Sequence, residues 1–294
     1  MTTIFKGSAV ALSTPFTDNG VNFNELERLI EFQISNDTDA LLVCGTTGEP
    51  STMSMEEQHD VIKFSVEKTD GRIPVIAGVG GNNTAHVLTS AKMAQDLGAD
   101  ALLAVTPYYN KCSNAGLIAH FNAVADCTDL PIILYNVPGR TGVNICPAVY
   151  QELCCHDKIV GIKEASANIS QIVEVARVTG GKAALYSGND DHVVPLLSLG
   201  GMGVISVLAN IMPKYMHNMV TNYLEGDTKA ACDMQLEINP LANAMFMEVN
   251  PIPVKTAMRL MGFQMGPLRL PLTEMSQTNI EALSKLMQQY GLIG

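Results

Sequence analysis

Eight short apolar runs recur at intervals of roughly 20–35 residues through position 207. They are 8–12 (SAVAL), 39–45 (DALLVCG), 73–78 (IPVIAG), 99–105 (ADALLAV), 131–136 (PIILYN), 158–163 (KIVGIK), 183–188 (AALYSG) and 203–207 (GVISV). Most are apolar throughout rather than at every second position, as expected of parallel strands covered on both faces. Amphipathic helical patterns fill the gaps, at 24–35, 54–68, 84–97, 117–127, 169–178 and 191–199. Ser54 with Glu57 three residues on predicts a capping box, and Asn24 with Glu27 a weaker one. Eight strand–helix repeats specify a closed (β/α)8 TIM barrel. An open doubly wound sheet would carry a dinucleotide fingerprint after its first strand, and none stands there. Gly78, Gly80 and Gly81 match that fingerprint only in part and read as a tight loop. Beyond Tyr215 the strand patterns stop. Helical patterns follow at 227–249, 253–262 and 276–290, with breaks at Pro251 and Pro253 and at Pro267 and Pro271. The expected organisation is a barrel over 1–225 and a small C-terminal helical domain over 226–294.

Charge and cysteine usage narrow the function. A formal net charge of −11 argues against nucleic acid or an anionic membrane as the partner. In so acidic a chain an anionic substrate needs a local cation, which makes single arginines informative. The seven cysteines form no CxxC pair and no His–Cys group at zinc spacing. The expectation is no metal site and buried, reduced thiols in a cytoplasmic protein, with the adjacent Cys154 and Cys155 on a helix. Residues 1–16 lack a basic segment followed by a long apolar core, so no signal peptide is expected. The uncharged stretch 193–213 is broken by Pro195, Gly200, Gly201, Gly203 and Asn210, and reads as buried helix, turn and strand rather than a membrane span.

In such a barrel the active site lies at the C-terminal ends of the strands. Lys163 closes the sixth run. Burying its ammonium is costly, burial lowers an amine's pKa, and a neutral lysine amine forms Schiff bases with carbonyl compounds. The second run ends in Gly45-Thr46-Thr47-Gly48-Glu49, whose backbone N–H groups and hydroxyls suit a small carboxylate. At the end of the fifth run Tyr135 can shuttle protons through a hydrogen-bonded relay, and Arg140 offers a fixed fork to a second carboxylate. Tyr108 and Tyr109 follow the fourth run, Ser187-Gly188-Asn189-Asp190 closes the seventh, and the eighth passes through Ile205. Each residue alone has a structural reading: a snorkelling lysine, a threonine cap, a packed tyrosine, an arginine paired with a carboxylate. Together at the strand ends they predict carbonyl condensation through a lysine imine.

The segments GTTGE (45–49), VTPYYNK (105–111), YNVPGRTG (135–142), GIKEAS (161–166) and YSGND (186–190), with NPIPVKTAM (250–258) in the tail, resemble the dihydrodipicolinate synthase (4-hydroxy-tetrahydrodipicolinate synthase) family over essentially the whole chain. The resemblance implies condensation of pyruvate with L-aspartate 4-semialdehyde, the first committed step of lysine and diaminopimelate biosynthesis, with no metal or organic cofactor. It implies that Lys163 forms the imine and that Tyr135 is the general acid/base, in a relay with Thr46 and Tyr109. Tyr109 would reach in from a neighbouring subunit of a homodimer or homotetramer. Thr46 and Thr47 would hold the pyruvate carboxylate and Arg140 that of the semialdehyde, with Gly188 and the Ile205 carbonyl lining the pocket. Ser51, Asn82 and Tyr108 could form an effector pocket for lysine. Lysine-sensitive members typically carry His or Trp where this chain has Met55, His at Gln58 and Glu at His86, so weak or absent lysine inhibition is expected. The sister aldolases, N-acetylneuraminate lyase and the 2-keto-3-deoxy sugar-acid aldolases, generally lack the arginine of this segment; Arg140 favours the synthase. A non-catalytic barrel that senses a keto acid would have no use for an intact Lys163, Tyr135 and Thr46.

Overall fold

All eight apolar runs form strands in the computed structural model, which describes residues 3–294. Met1 and Thr2, at the head of the stretch read for a signal sequence, lie outside the described residues. The chain begins with β1 (Gly7–Ala11), a hairpin of β2 (Phe16–Thr17) and β3 (Gly20–Val21), then α1 (Phe23–Ile34) and β4 (Ala40–Val43). There follow α2 (Met55–Thr69), β5 (Val75–Gly78), α3 (Thr84–Asp96), β6 (Ala101–Val105), α4 (Asn114–Asp126) and β7 (Ile132–Asn136). Next come α5 (Pro138–Thr141), α6 (Pro147–Leu153), β8 (Ile159–Glu164), α7 (Ile169–Thr179), β9 (Ala184–Ser187), α8 (Val193–Leu197), β10 (Gly203–Ser206) and α9 (Pro213–Leu224). The tail holds α10 (Thr228–Ala244), α11 (Ile252–Leu260) and α12 (Gln277–Gln289). Strands β1 and β4 to β10 pair in parallel as a closed barrel. Two apolar layers result. One fills the barrel, with Ala9, Leu42, Ile76, Leu103, Ile133 and Ile205 among its members. The other lies between strands and helices and continues into the tail through Ile238, Leu241, Val254, Met258, Leu283 and Met287.

Local chemistry accounts for several boundaries. Ser54 and Glu57 make the reciprocal bonds of the capping box that starts α2. The cap of α1 is Asn22, whose side chain accepts from the Glu25 N–H at 3.2 Å; the expected Asn24 pair lies two residues too late. Helix α6 was invisible to periodicity because it has only seven residues; Pro147 opens it, where a missing N–H costs nothing. Cys154 caps that helix and Cys155 lies beyond it, so the pair is not helical as expected. All seven thiols are free, but only Cys44 and Cys154 are buried as expected; Cys112, Cys127 and Cys146 are half-buried, and Cys155 and Cys232 are exposed. The first tail helix stops at Ala244, five residues short of its expected end at 249, and α11 starts one residue early at Ile252 and stops at Leu260 instead of 262. Pro240 sits inside α10 without ending it. The stretch 193–213 is helix, turn and strand as expected.

A buried ion pair ties the tail to the barrel. The Lys255 Nζ of α11 donates to Glu49 Oε1 at 2.7 Å, with both side chains at most 2% exposed. Arg269 flanks it, donating its backbone N–H to Glu49 Oε2 at 3.3 Å and its guanidinium to Glu57 at 2.5 and 2.8 Å. Both cations lie over the Phe16 ring, at 4.5 and 4.0 Å. Removing one member of such a pair leaves a charge without a partner in a dry place. Lys255→Met is therefore expected to cost about 3–5 kcal/mol in urea unfolding, and the double change with Glu49→Gln distinctly less. Equal losses in the single and double variants would contradict the pairing.

Candidate active site

Strand pairing sets Lys163 beside its neighbours. Its Cα pairs with Tyr135 on one side and Tyr186 on the other, and both tyrosines belong to the barrel interior. The Lys163 side chain is 4% exposed and its Nζ lies 4.4 Å from the centre of the Tyr135 ring. Burial pushes the amine down to about 7; the Asp190 charge pulls upward against it and that of Arg140 adds to it. Tyr186 stacks on Phe5 at 4.4 Å and donates its hydroxyl to the Phe5 carbonyl at 2.8 Å. Its ring lies over Gly161, where a Cβ would come within 3.3 Å, so the barrel is filled on the N-terminal side of Lys163. On the other side a Cβ at Gly188 would meet that of Ala165 at 2.7 Å and Lys163 Cε at 3.2 Å, so glycine preserves the room around the amine.

The remaining groups come from the loops above. Burial raises the Tyr135 phenol, while the Arg140 charge and the Thr46 hydroxyl favour its ionised form. Thr46, Thr47 and Gly48 form a single tight turn, closed by the Gly48 N–H on the Gly45 carbonyl at 2.8 Å. The next residue, Glu49, has φ 57° and is held by Lys255. Thr47 is 2% exposed and covered by the tail: its hydroxyl oxygen accepts from Asn250 Nδ2 at 3.0 Å. Arg140 lies on the exposed turn α5, and its Nη2 donates to the Asn250 carbonyl at 3.2 Å.

A cavity of about 740 Å³ has walls that include Thr46, Tyr108, Tyr109, Tyr135 and Arg140. Ser51 and Asn82, with Met55, Gln58 and His86, line the same cavity, so the proposed effector residues and the candidate site share one space. Lys163, Thr47, Gly188 and Ile205 are not among its wall residues; the Lys163 amine lies 4.4 Å from the ring centre of Tyr135, which is one, and the Ile205 side chain is wholly buried in the barrel. Tyr109 stands out at 90% exposure with φ 70°.

Sequence reasoning missed two participants. Asp190 is buried, and its Oδ2 accepts from the N–H groups of Val207 and Leu208 at 3.1 and 2.9 Å, which fixes its charge near Lys163. The second, Asn250, joins two loops. Both sit in segments that carry the resemblance, but motif position alone assigned them no contact.

Comparison with known proteins identifies the family. The Dihydrodipicolinate synthetase family matches residues 4–290. The 4-hydroxy-tetrahydrodipicolinate synthase of Thermoanaerobacter sp. (strain X514) is 59% identical over 291 residues, covering 99% of this chain and 98% of the relative. That of Clostridium perfringens (strain ATCC 13124) is 54% identical over 290 residues, covering 99% and 100%. Among solved structures, the chloride-inhibited dihydrodipicolinate synthase of Acinetobacter baumannii, complexed with pyruvate, superimposes with a TM-score of 0.96 at 43% identity, covering 99% of this chain and 100% of that one. On a family match that spans nearly every residue, the chain belongs to the dihydrodipicolinate synthetase family.

Proposed function

We propose that this chain condenses pyruvate with L-aspartate 4-semialdehyde to give 4-hydroxy-tetrahydrodipicolinate, the first committed step of lysine and diaminopimelate biosynthesis. The observation that carries the reading is a buried amine lowered to about 7 beside Tyr135, whose cavity is also lined by Thr46 and Arg140. At neutral pH about half of such amines are uncharged, against about one in three thousand for an ordinary lysine. The neutral Nζ adds to the keto carbon of pyruvate and water leaves, forming the imine. Loss of a methyl proton gives the enamine, whose carbon attacks the aldehyde. The amine of the second substrate then attacks the imine carbon, displaces Lys163 and closes the ring. Tyr135 moves the protons, relayed through Thr46 and through Tyr109 of a second copy in a dimer or tetramer. Thr46 and Thr47 bind the pyruvate carboxylate, Arg140 binds that of the semialdehyde, and Gly188 with the Ile205 carbonyl borders the reacting carbons. The exposed Tyr109 ring at the cavity wall supports donation across an interface. Arg140 at the cavity favours this reaction over cleavage of N-acetylneuraminate or 2-keto-3-deoxy sugar acids.

The same reading divides the chain into a catalytic barrel through 225 and a helical domain from 226, and places it in the cytoplasm. No helix of the described residues is long and apolar enough to cross a membrane.

Trapping with pyruvate, two substitutions and a lysine inhibition curve test it. Incubation with pyruvate and cyanoborohydride should add one reduced adduct at Lys163, seen by mass spectrometry. Because the amine is neutral above about 7, the trapping rate should climb as pH rises through that value and then level; a climb continuing toward the ordinary lysine range would contradict it. Lys163→Ala should keep the fold, lose the adduct and lose turnover by on the order of 10³-fold or more. Arg140→Ala should leave trapping intact yet raise the semialdehyde KM about 10- to 100-fold, the worth of a charged hydrogen bond; loss of trapping would reassign the arginine. Lysine should show no half-inhibition below about 1 mM, a binding energy of only ~4 kcal/mol, since Met55, Gln58 and His86 face the shared cavity.

A further inference from the structure

Asn250, in the turn before α11, is 5% exposed and touches one residue of each proposed carboxylate site, Thr47 and Arg140. Its Nδ2 donates to Thr47 Oγ1 at 3.0 Å, and its main-chain oxygen accepts from Arg140 Nη2 at 3.2 Å. Its Oδ1 is buried without a hydrogen-bond partner, so its side chain is held for the bond it donates. A hydroxyl has one hydrogen to give and two lone pairs to receive with. Because Asn250 supplies the hydrogen between the two residues, Thr47 keeps its own, polarised by the bond it receives and free to be given to an anion. Thr47 is itself 2% exposed and directly follows Thr46, a wall residue of the cavity.

We propose that Asn250 is a positioning residue for keto-acid recognition, fixing the Thr47 hydroxyl as a donor to the pyruvate carboxylate while its carbonyl braces the Arg140 fork. This rests on the function proposed above. The competing role is simple packing of the tail onto the barrel, and two substitutions separate the roles. Asn250→Asp has the same shape but can only accept, so it would claim the Thr47 hydrogen and place a negative charge beside the substrate's. Asn250→Ala merely leaves the Thr47 oxygen without its donor. Packing makes Asp the milder change; the donor role makes it the harsher.

The test uses the full chain and pyruvate itself. Half-maximal trapping at Lys163 by cyanoborohydride should require about 10-fold more pyruvate in Asn250→Ala and about 100-fold more in Asn250→Asp. The semialdehyde KM should stay within about twofold in both, since the main-chain bond to Arg140 survives. In a Thr47→Val background, Asn250→Ala should add less than about twofold, because the hydroxyl it orients is gone. Melting temperatures identify any variant that fails to fold, and if Asn250→Asp does, the Thr47 cycle decides. An Asp variant nearer wild type than Ala, a full additive effect on Thr47→Val, or a joint rise of both KM values would each overturn the proposal. Absence of any adduct in the wild-type chain would instead overturn the functional reading, before a variant is compared.

Discussion

A buried lysine amine inside a closed barrel, pushed down to about 7, is the constraint around which the rest is arranged. Bringing Lys163 from 10.5 to about 7 corresponds to about 5 kcal/mol of disfavoured protonation in the folded chain. That penalty develops as pH falls from the ordinary lysine range to about 7 and is constant below it, because only there does the folded state take up the same proton as the unfolded one. It is comparable to the whole net stability of many domains. The chain tolerates it by surrounding the amine with two continuous apolar layers and by fixing Asp190 nearby on two backbone N–H groups. Asp190 partly opposes the effect of burial, so the amine is held near neutrality rather than driven far below it.

The second requirement is that loops above the amine keep their shape, and here the tail matters more than its place in the chain suggests. The turn carrying Thr46 and Thr47 ends in Glu49, a left-handed residue clamped by Lys255. The same tail reaches Thr47 through Asn250 and Arg140 through the Asn250 carbonyl. A loop held at both its last residue and its central hydroxyl has few alternative conformations, and hydrogen-bond donors fixed in advance need no reorganisation when charge arrives. The tail is thus part of the candidate site's scaffold as well as a cover for hydrophobic surface.

This division explains what could be read from sequence. The eight strands were legible because parallel strands covered on both faces are apolar without interruption, and a run such as PIILYN has no competing reading as a surface element. The hairpin of β2 and β3, with two-residue strands, and the four-residue α5 are too short for any period to show. The start of α1 was misplaced because Asn22 and Asn24 both suit a cap, and only the bond to Glu25 distinguishes them. Lys163, Tyr135, Thr46 and Arg140 stood out because each ends or follows a strand in a local motif. The roles of Asn250 and Lys255 were not visible, since each depends on a partner more than 200 residues away, Thr47 at a separation of 203 and Glu49 at 206. Spacing along the chain carries no trace of such contacts.

Tyr109 poses the complementary problem, a residue whose local setting makes sense only through something further. A positive φ at a tyrosine costs about 1–3 kcal/mol, and a ring left 90% exposed returns nothing for it. Buried in a second copy under the proposed reading, that ring would recover apolar contact and close the open side of the cavity against water. Every charge-dependent effect at Lys163 and Tyr135 would then grow as the local dielectric falls. Assembly and chemical competence would be one property of this chain, because the residue that completes the proton relay and the residue that excludes solvent would be the same side chain.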